Sequence, residues 1–245
     1  GRVIFDRDQP RYPLTISAHL ENFDASVLYR DFFNRQGLIS GRLRGDFYLE
    51  GNPRPDTFWQ TARGGIHLQV RDGTLRKFHG LAKVFSLLNV SQIFVGQLPD
   101  MDQDGMPFNL MDGSLRINDG RMYTEDLKIN SEAMNLSLVG SQGLVDDTLD
   151  FTLGVMPLRT VDKVVTSIPL AGWVLGGEEK ALLTAHFKIA GTSNKPQVTP
   201  IPIDSVSNAV LGIFKRTLSL PGKLVKDRGS VFKKDPEKKQ DAATE

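Results

Sequence analysis

The acidic run Asp100-Met101-Asp102-Gln103-Asp104-Gly105 is the stretch whose residue types and spacing come nearest to chemistry. Carboxylates at positions one, three and five, with glycine at six, copy the opening of a calcium loop, where hard oxygen donors ring the cation. The bidentate Glu required at position twelve is replaced by Met111, and a strand rather than a helix follows. Asp100, Asp102 and Asp104 therefore form an incomplete calcium candidate, beside the plainer reading of an exposed acidic turn. Three of the four histidines, His19, His67 and His186, fall on the polar parity of predicted strands, and His79 stands apart from them. None has a partner at metal or triad spacing, so solvated strand residues are expected. Gly140-Ser141-Gln142-Gly143 lacks the Gly-x-Ser-x-Gly spacing of a nucleophile elbow. Val174-Leu175-Gly176-Gly177 is too short for a phosphate-binding loop. Both read as turns. No acid–base pair, nucleophile or complete metal set can be assembled, which predicts a protein that is not an enzyme and needs no cofactor.

The totals point the same way. Thirty basic and 29 acidic residues leave a formal charge of +1, so no overall field favours nucleic acid. Cysteine is absent, which removes disulfides and thiolate metal sites and leaves the redox compartment open. No run of about 18 apolar residues is present. A strand-like Arg2-Val3-Ile4-Phe5 at the very start predicts a piece of a longer chain, with any anchor or export signal upstream.

Period-two alternation dominates the 245 residues and predicts strands with one apolar and one wet face. Leu14, Ile16, Ala18 and Leu20 share one parity, as do Leu43, Gly45, Phe47 and Leu49. Ile66, Leu68 and Val70 follow, then Met134, Leu136 and Leu138, then Phe151, Leu153 and Val155, then Leu183, Ala185, Phe187 and Ile189. Asp72-Gly73 and Asp119-Gly120 predict tight hairpins, because two-residue turns demand positive φ. Their surroundings match at an offset of about 47 residues, which reads either as an internal repeat or as two ordinary hairpins. Gly140 and Gly143 frame a further turn before a Leu149–Val155 strand. Successive hairpins predict an antiparallel meander.

Helical spacing marks four interruptions. Ala25–Phe33 follows an N-cap at Asp24, and Phe78–Leu88 carries one apolar stripe closed by Asn89. Thr160–Ile168 stops at Pro169, and Ser205–Leu218 repeats the pattern. In and after it Lys215, Arg216, Lys223, Lys226 and Arg228 cluster. That last helix either packs on the sheet or lies in a membrane interface with its cations toward anionic lipid. Trp173, Ile213, Phe214, Lys215 and Arg216 are the membrane-contact candidates. The apolar Ile168–Leu175 segment is too short to span and is read as inserted in the core. The expected division is a β-rich unit over 1–198, an amphipathic helical segment over 199–230 and a disordered charged tail over 231–245.

The order of these pieces resembles the AsmA-like superfamily of bacterial envelope proteins, the AsmA, YhdP and TamB type, and most of all the C-terminal part of the YhdP type. The resemblance rests on Asp72-Gly73-Thr74-Leu75, Phe85-Ser86-Leu87-Leu88-Asn89-Val90 and Ser91-Gln92-Ile93-Phe94. It continues through Gly105-Met106-Pro107-Phe108 and Gly113-Ser114-Leu115-Arg116-Ile117-Asn118-Asp119-Gly120. It ends at Gly191-Thr192-Ser193-Asn194-Lys195-Pro196-Gln197-Val198, covering roughly 66–198. It implies a periplasmic module, held at the inner membrane by a segment outside this chain, with an open, curved, mainly β groove (taco-like) and a few amphipathic helices. It also implies phospholipid as the occupant, carried between inner and outer membranes, with a membrane surface or an envelope protein as further partner. The lining expected from strand parity is Ile66, Leu68, Val70, Leu115, Ile117, Leu136, Leu138, Phe151, Leu153, Val155, Phe187 and Ile189. Two acyl chains of about 30 CH₂ groups would gain on the order of 20 kcal/mol gross from such shelter. The competing expectations are that helices Phe78–Leu88 and Val161–Ile168 plug this face, or that the module docks a partner without holding lipid.

Overall fold

The computed structural model describes residues 1–6, 8, 13–33, 39–54, 56–76, 79–88, 104–158, 173–174 and 184–218. One antiparallel sheet contains eleven strands. In chain order they are β1 (Arg2–Phe5), β2 (Leu14–Asp24), β3 (Ile39–Gly51), β4 (Arg63–Leu75), β5 (Met106–Asn118) and β6 (Arg121–Asn130). Then come β7 (Met134–Gly143), β8 (Thr148–Pro157), the two-residue β9 (Trp173–Val174), β10 (Thr184–Thr192) and β11 (Pro196–Pro200). Neighbours in sequence are neighbours in space from β1 to β8; β10 then pairs β8, with β9 alongside it and β11 at the far edge. The expected meander is the fold, and it does not close into a barrel.

Helices α1 (Ala25–Phe33), α2 (Phe58–Thr61), α3 (His79–Leu88) and α4 (Asn208–Leu218) are set on this sheet. Asp24 caps α1: its Oδ1 accepts from the Ser26 amide at 2.9 Å. Hydrogen bonds from the Ser26 side chain and backbone hold that carboxyl below its ordinary range. Helix α4 begins three residues later than the apolar spacing suggests, after a 3-10 turn at Ile203–Ser205. The helix expected at 160–168, Phe78, the Asn89 cap and the tail lie outside the described residues.

The sheet must curl. Six interstrand steps separate β4 from β11, about 29 Å if flat. A chain leaving β4 at Leu75 reaches Gly80 within about 17 Å. Yet a Cβ placed on Gly80 would lie 3.8 Å from both Ile189 Cγ2 and Pro196 Cβ, on β10 and β11. The sheet therefore folds toward α3, and the face carrying the apolar parity is the inside of the curl. One cross-strand row runs Leu43–Val70–Met111–Ile129–Leu136–Val155–Ala185 along that inner face. Its residues join Leu81, Val84 and Phe85 of α3 in a single apolar cluster.

Several expectations need correction. Asp119-Gly120 is the predicted hairpin, with φ of 49° and 71° and Asn118 paired to Arg121. Asp72-Gly73 is not a turn. The strand runs on to Leu75, and Asp72, at φ 51°, forms with Gly73 a bulge of two residues opposite Gly41. A left-handed Asp followed by Gly serves either purpose, so the two segments are not copies of one hairpin. Asn22 does the same work in β2, where Glu21 and Asn22 oppose Arg44. Gly140 and Gly143 do not frame a turn either: both lie in β7, and the chain reverses between them and Thr148. Gly140 adopts φ 140°, and a Cβ there would stand 2.1 Å from the Asp150 carbonyl oxygen.

Replacing Gly140 by Ala should cost about 2–3 kcal/mol, through backbone strain and the carbonyl clash. Gly212 in α4 has nothing within 4 Å of an added Cβ, so Gly212→Ala should stabilise by roughly 0.5–1 kcal/mol. Urea titrations of the two variants should move in opposite directions from the parent.

Candidate functional site

The inner face carries all twelve residues expected to line a groove, but it does not leave them equally accessible. Cross-strand pairing sets Phe47, Ile66 and Leu115 side by side on β3, β4 and β5. Ala18 continues that row on β2, and Leu20 and Leu68 belong to the next. All six are half-buried. On β1, Val3 pairs with Ile16 and Phe5 with Leu14, and these two are 68% and 57% exposed. An apolar strip thus runs from the β1 edge to β5, and among the described residues no helix lies over its middle. Strips of this kind are rare on surfaces that have no binding role.

The other expected lining residues are core. Phe151, Leu153, Val155, Phe187 and Ile189 are at most 9% exposed, and Val70 and Leu136 are as deeply buried. Leu138 sits half-buried at the boundary. Of the two helices in the plug reading, α3 packs in the cluster that buries these residues, and Val161–Ile168 lies outside the described residues. Ile117 belongs to a separate buried cluster with Leu49 and Ala62, against which Phe58, Trp59, Ile66 and Met122 pack. The Phe58 and Trp59 rings meet edge to face at 5.0 Å, which closes that end of the strip. Ala25 and Leu28 of α1 pack into the main cluster at the opposite end.

The convex face is polar over its first half. Arg44, Gln69, Asp112, Lys128 and Ser137 form one cross-strand row there. Lys128 Nζ lies 3.1 Å from Asp112 Oδ2, and His67 Nε2 lies 3.9 Å from the other carboxylate oxygen. His67 Nδ1 is 3.3 Å from Ser114 Oγ, whose hydroxyl and amide both reach the Asp126 carboxylate. His19 lies 2.7 Å from Asp46. Ser114 and His67 do approach each other, but the Ser114 hydroxyl is donated to Asp126, so no activated nucleophile results. Tyr48 donates to Glu50, which pushes its phenol above the ordinary range.

Over β7, β8 and β10 the convex face is covered by α4, which the strand parity did not reveal. His186 is 3% exposed rather than solvated, and it stacks on Phe214 at 5.4 Å. Phe214 lies over Gly154, where a Cβ would come within 3.2 Å of the ring. The Thr217 hydroxyl donates to Ser137 Oγ at 2.7 Å. Of the membrane-contact candidates, Phe214 is therefore a packing residue, 3% exposed. Lys215 and Arg216 point outward and Ile213 is half-buried. Trp173 belongs to β9, paired with Ala185.

Asp100 and Asp102 of the calcium candidate lie outside the described residues, and Asp104 is exposed. Among the described residues no group of three or more acidic, histidine or cysteine side chains could hold a metal. Among them, too, no helix is long and apolar enough to cross a membrane.

A buried carboxylate on the inner face would have no compensating partner. Leu153→Asp and Phe187→Asp should each lower the melting temperature by about 10 °C or more, whereas Leu115→Asp should shift it by only a few degrees. Circular-dichroism melts of the three variants would separate core from open strip.

The family described as YhdP protein has a sequence model that matches residues 2–198. The chain belongs to that family, a family of envelope proteins. No curated protein and no solved structure matches it.

Proposed function

From this membership and the open strip, we propose that the chain is a lipid-handling module of the cell envelope. It shelters phospholipid acyl chains on the inner face of its curled sheet during transport between inner and outer membranes, and it works in the periplasm. The observation that carries the reading is the half-exposed apolar strip from Val3 and Phe5 to Leu115, bounded by helices at both strand ends. A phospholipid has the matching chemistry. Its chains need only apolar contact, at about 0.8 kcal/mol per sheltered CH₂. Its headgroup can stay in water, because the curl is open along the β1 edge. No reaction is assigned to the chain.

Lipid loading tests this directly. Purified protein incubated with phosphatidylethanolamine–phosphatidylglycerol vesicles should carry phospholipid in native mass spectrometry. Phe47→Asp or Leu68→Asp should lower loading about tenfold, the effect of roughly 1.4 kcal/mol. Protein that stays lipid-free throughout would refute the reading.

A second contact is supported by the outward-facing Lys215 and Arg216 at the end of α4. The packed side of that helix is occupied by the sheet, so a membrane would meet only this basic edge. Two cations near an anionic surface contribute about 1 kcal/mol each. Lys215→Gln with Arg216→Gln should weaken vesicle flotation by about thirtyfold at low salt. Binding that is unchanged by the pair and by salt would sink this contact and favour an envelope protein as the partner.

A further inference from the structure

The inner face is apolar from β2 to β10, and α3 packs against its β10–β11 end. Val84 is 0% and Phe85 2% exposed, and both pack in one cluster with Leu153 and Phe187. Gly80 brings the helix backbone close to β10 and β11, since a side chain there would begin 3.8 Å from Ile189 and Pro196. The Lys83 ammonium donates to the Pro196 carbonyl at 2.6 Å and ties the helix to the edge strand. That edge begins and ends in proline, Pro196 and Pro200, neither of which has an N–H to offer another strand.

Resting on the lipid reading, we propose that α3 is the end wall of the lipid site. Leu81, Val84 and Phe85 stop an acyl chain that enters from the β1 side, so the chain lies over β1–β5 only. The β8–β10 half serves as fixed core in both empty and loaded protein. The bound lipid is therefore held in a blind trough and leaves by the edge through which it entered.

A phospholipid with a diazirine in its acyl chain maps the occupied strip in the unaltered protein. After loading from phosphatidylethanolamine–phosphatidylglycerol vesicles and irradiation, crosslinks should fall on peptides containing Val3, Phe47, Ile66 or Leu115. Crosslinks of comparable yield on Leu153 or Phe187 peptides would overturn the end wall and leave lipid binding standing. Crosslinks nowhere would remove the lipid reading and this inference with it. A covalent lock supplies the second arm. The 3.8 Å gap between an added Gly80 Cβ and Pro196 Cβ is that of a disulfide. The chain has no other cysteine, so Gly80→Cys with Pro196→Cys forms one defined bridge. Oxidised and reduced forms should load lipid equally, within about twofold. Loading several-fold lower in the oxidised form would show that α3 must move aside, which contradicts a fixed wall. Phe85→Ala, if its melt stays cooperative, should extend the crosslinks to the Leu153 peptide; a folded variant with an unchanged map would count against Phe85 as part of the wall.

Discussion

The packing of α3 across the sheet is the constraint on which the rest of the molecule depends. The helix leaves β4 by a short connection and reaches β10 and β11, which a flat sheet would place too far away. Curling is the only geometry that satisfies both, and it turns strand parity into an inside and an outside. Bulges make the curl possible. The extra residues at Asn22 and Asp72 flank β3 on either side, and register shifts recur between β5 and β6 and between β6 and β7. Each adds local twist in the same sense. Without the helix the sheet would have a continuous apolar face too wide to remain soluble; with it, half of that face becomes core.

The half that stays open is a consequence of the same geometry. A ten-residue helix spans about 15 Å, enough to cover three strands but not seven. Leu43 and Val70 are sealed because they lie at the strand ends nearest the helix, where α1 also packs. Phe47, Ile66 and Leu115 lie farther along the same strands, side by side in one cross-strand row, and stay half-buried. Leaving such residues half-wet forfeits part of the roughly 1.5–3 kcal/mol that each would gain from full burial. Such a cost along a whole row, and not at an isolated position, is what the proposed lipid occupant would offset.

Much of this was legible in the sequence, for a reason that also marks its limit. Period two and period 3.6 are local properties, so Leu14–Leu20, Phe151–Val155 and the α3 stripe could be assigned from neighbours alone. Which face a residue occupies follows from parity, but what covers that face does not. Leu153 and Leu115 have the same parity signal, and only the position of α3 makes one core and the other surface. His186 failed in the same way from the other side. Its parity is polar, as predicted, but α4 arrives from more than twenty residues downstream and lays Phe214 on it. Asp72-Gly73 failed because a left-handed backbone is a local demand, while chain reversal is decided by what pairs with Thr74 and Leu75.

The two faces also divide the labour between electrostatics and apolar contact. On the convex side Lys128 and Asp112 form an ion pair with His67 beside it, and this polar surface offers an acyl chain no apolar contact. Helix α4 uses the one stretch of the convex side where Ser137, Gly154 and His186 replace full charges. The Thr217–Ser137 hydrogen bond satisfies the polar atoms it buries. The helix can therefore seat Phe214 on the outside without disturbing the strip inside, and its exposed Lys215 and Arg216 lie on the opposite side of the sheet from that strip. In the proposed function, loading on one face and surface contact on the other would be mechanically separate, and a substitution that abolishes either should leave the other in place.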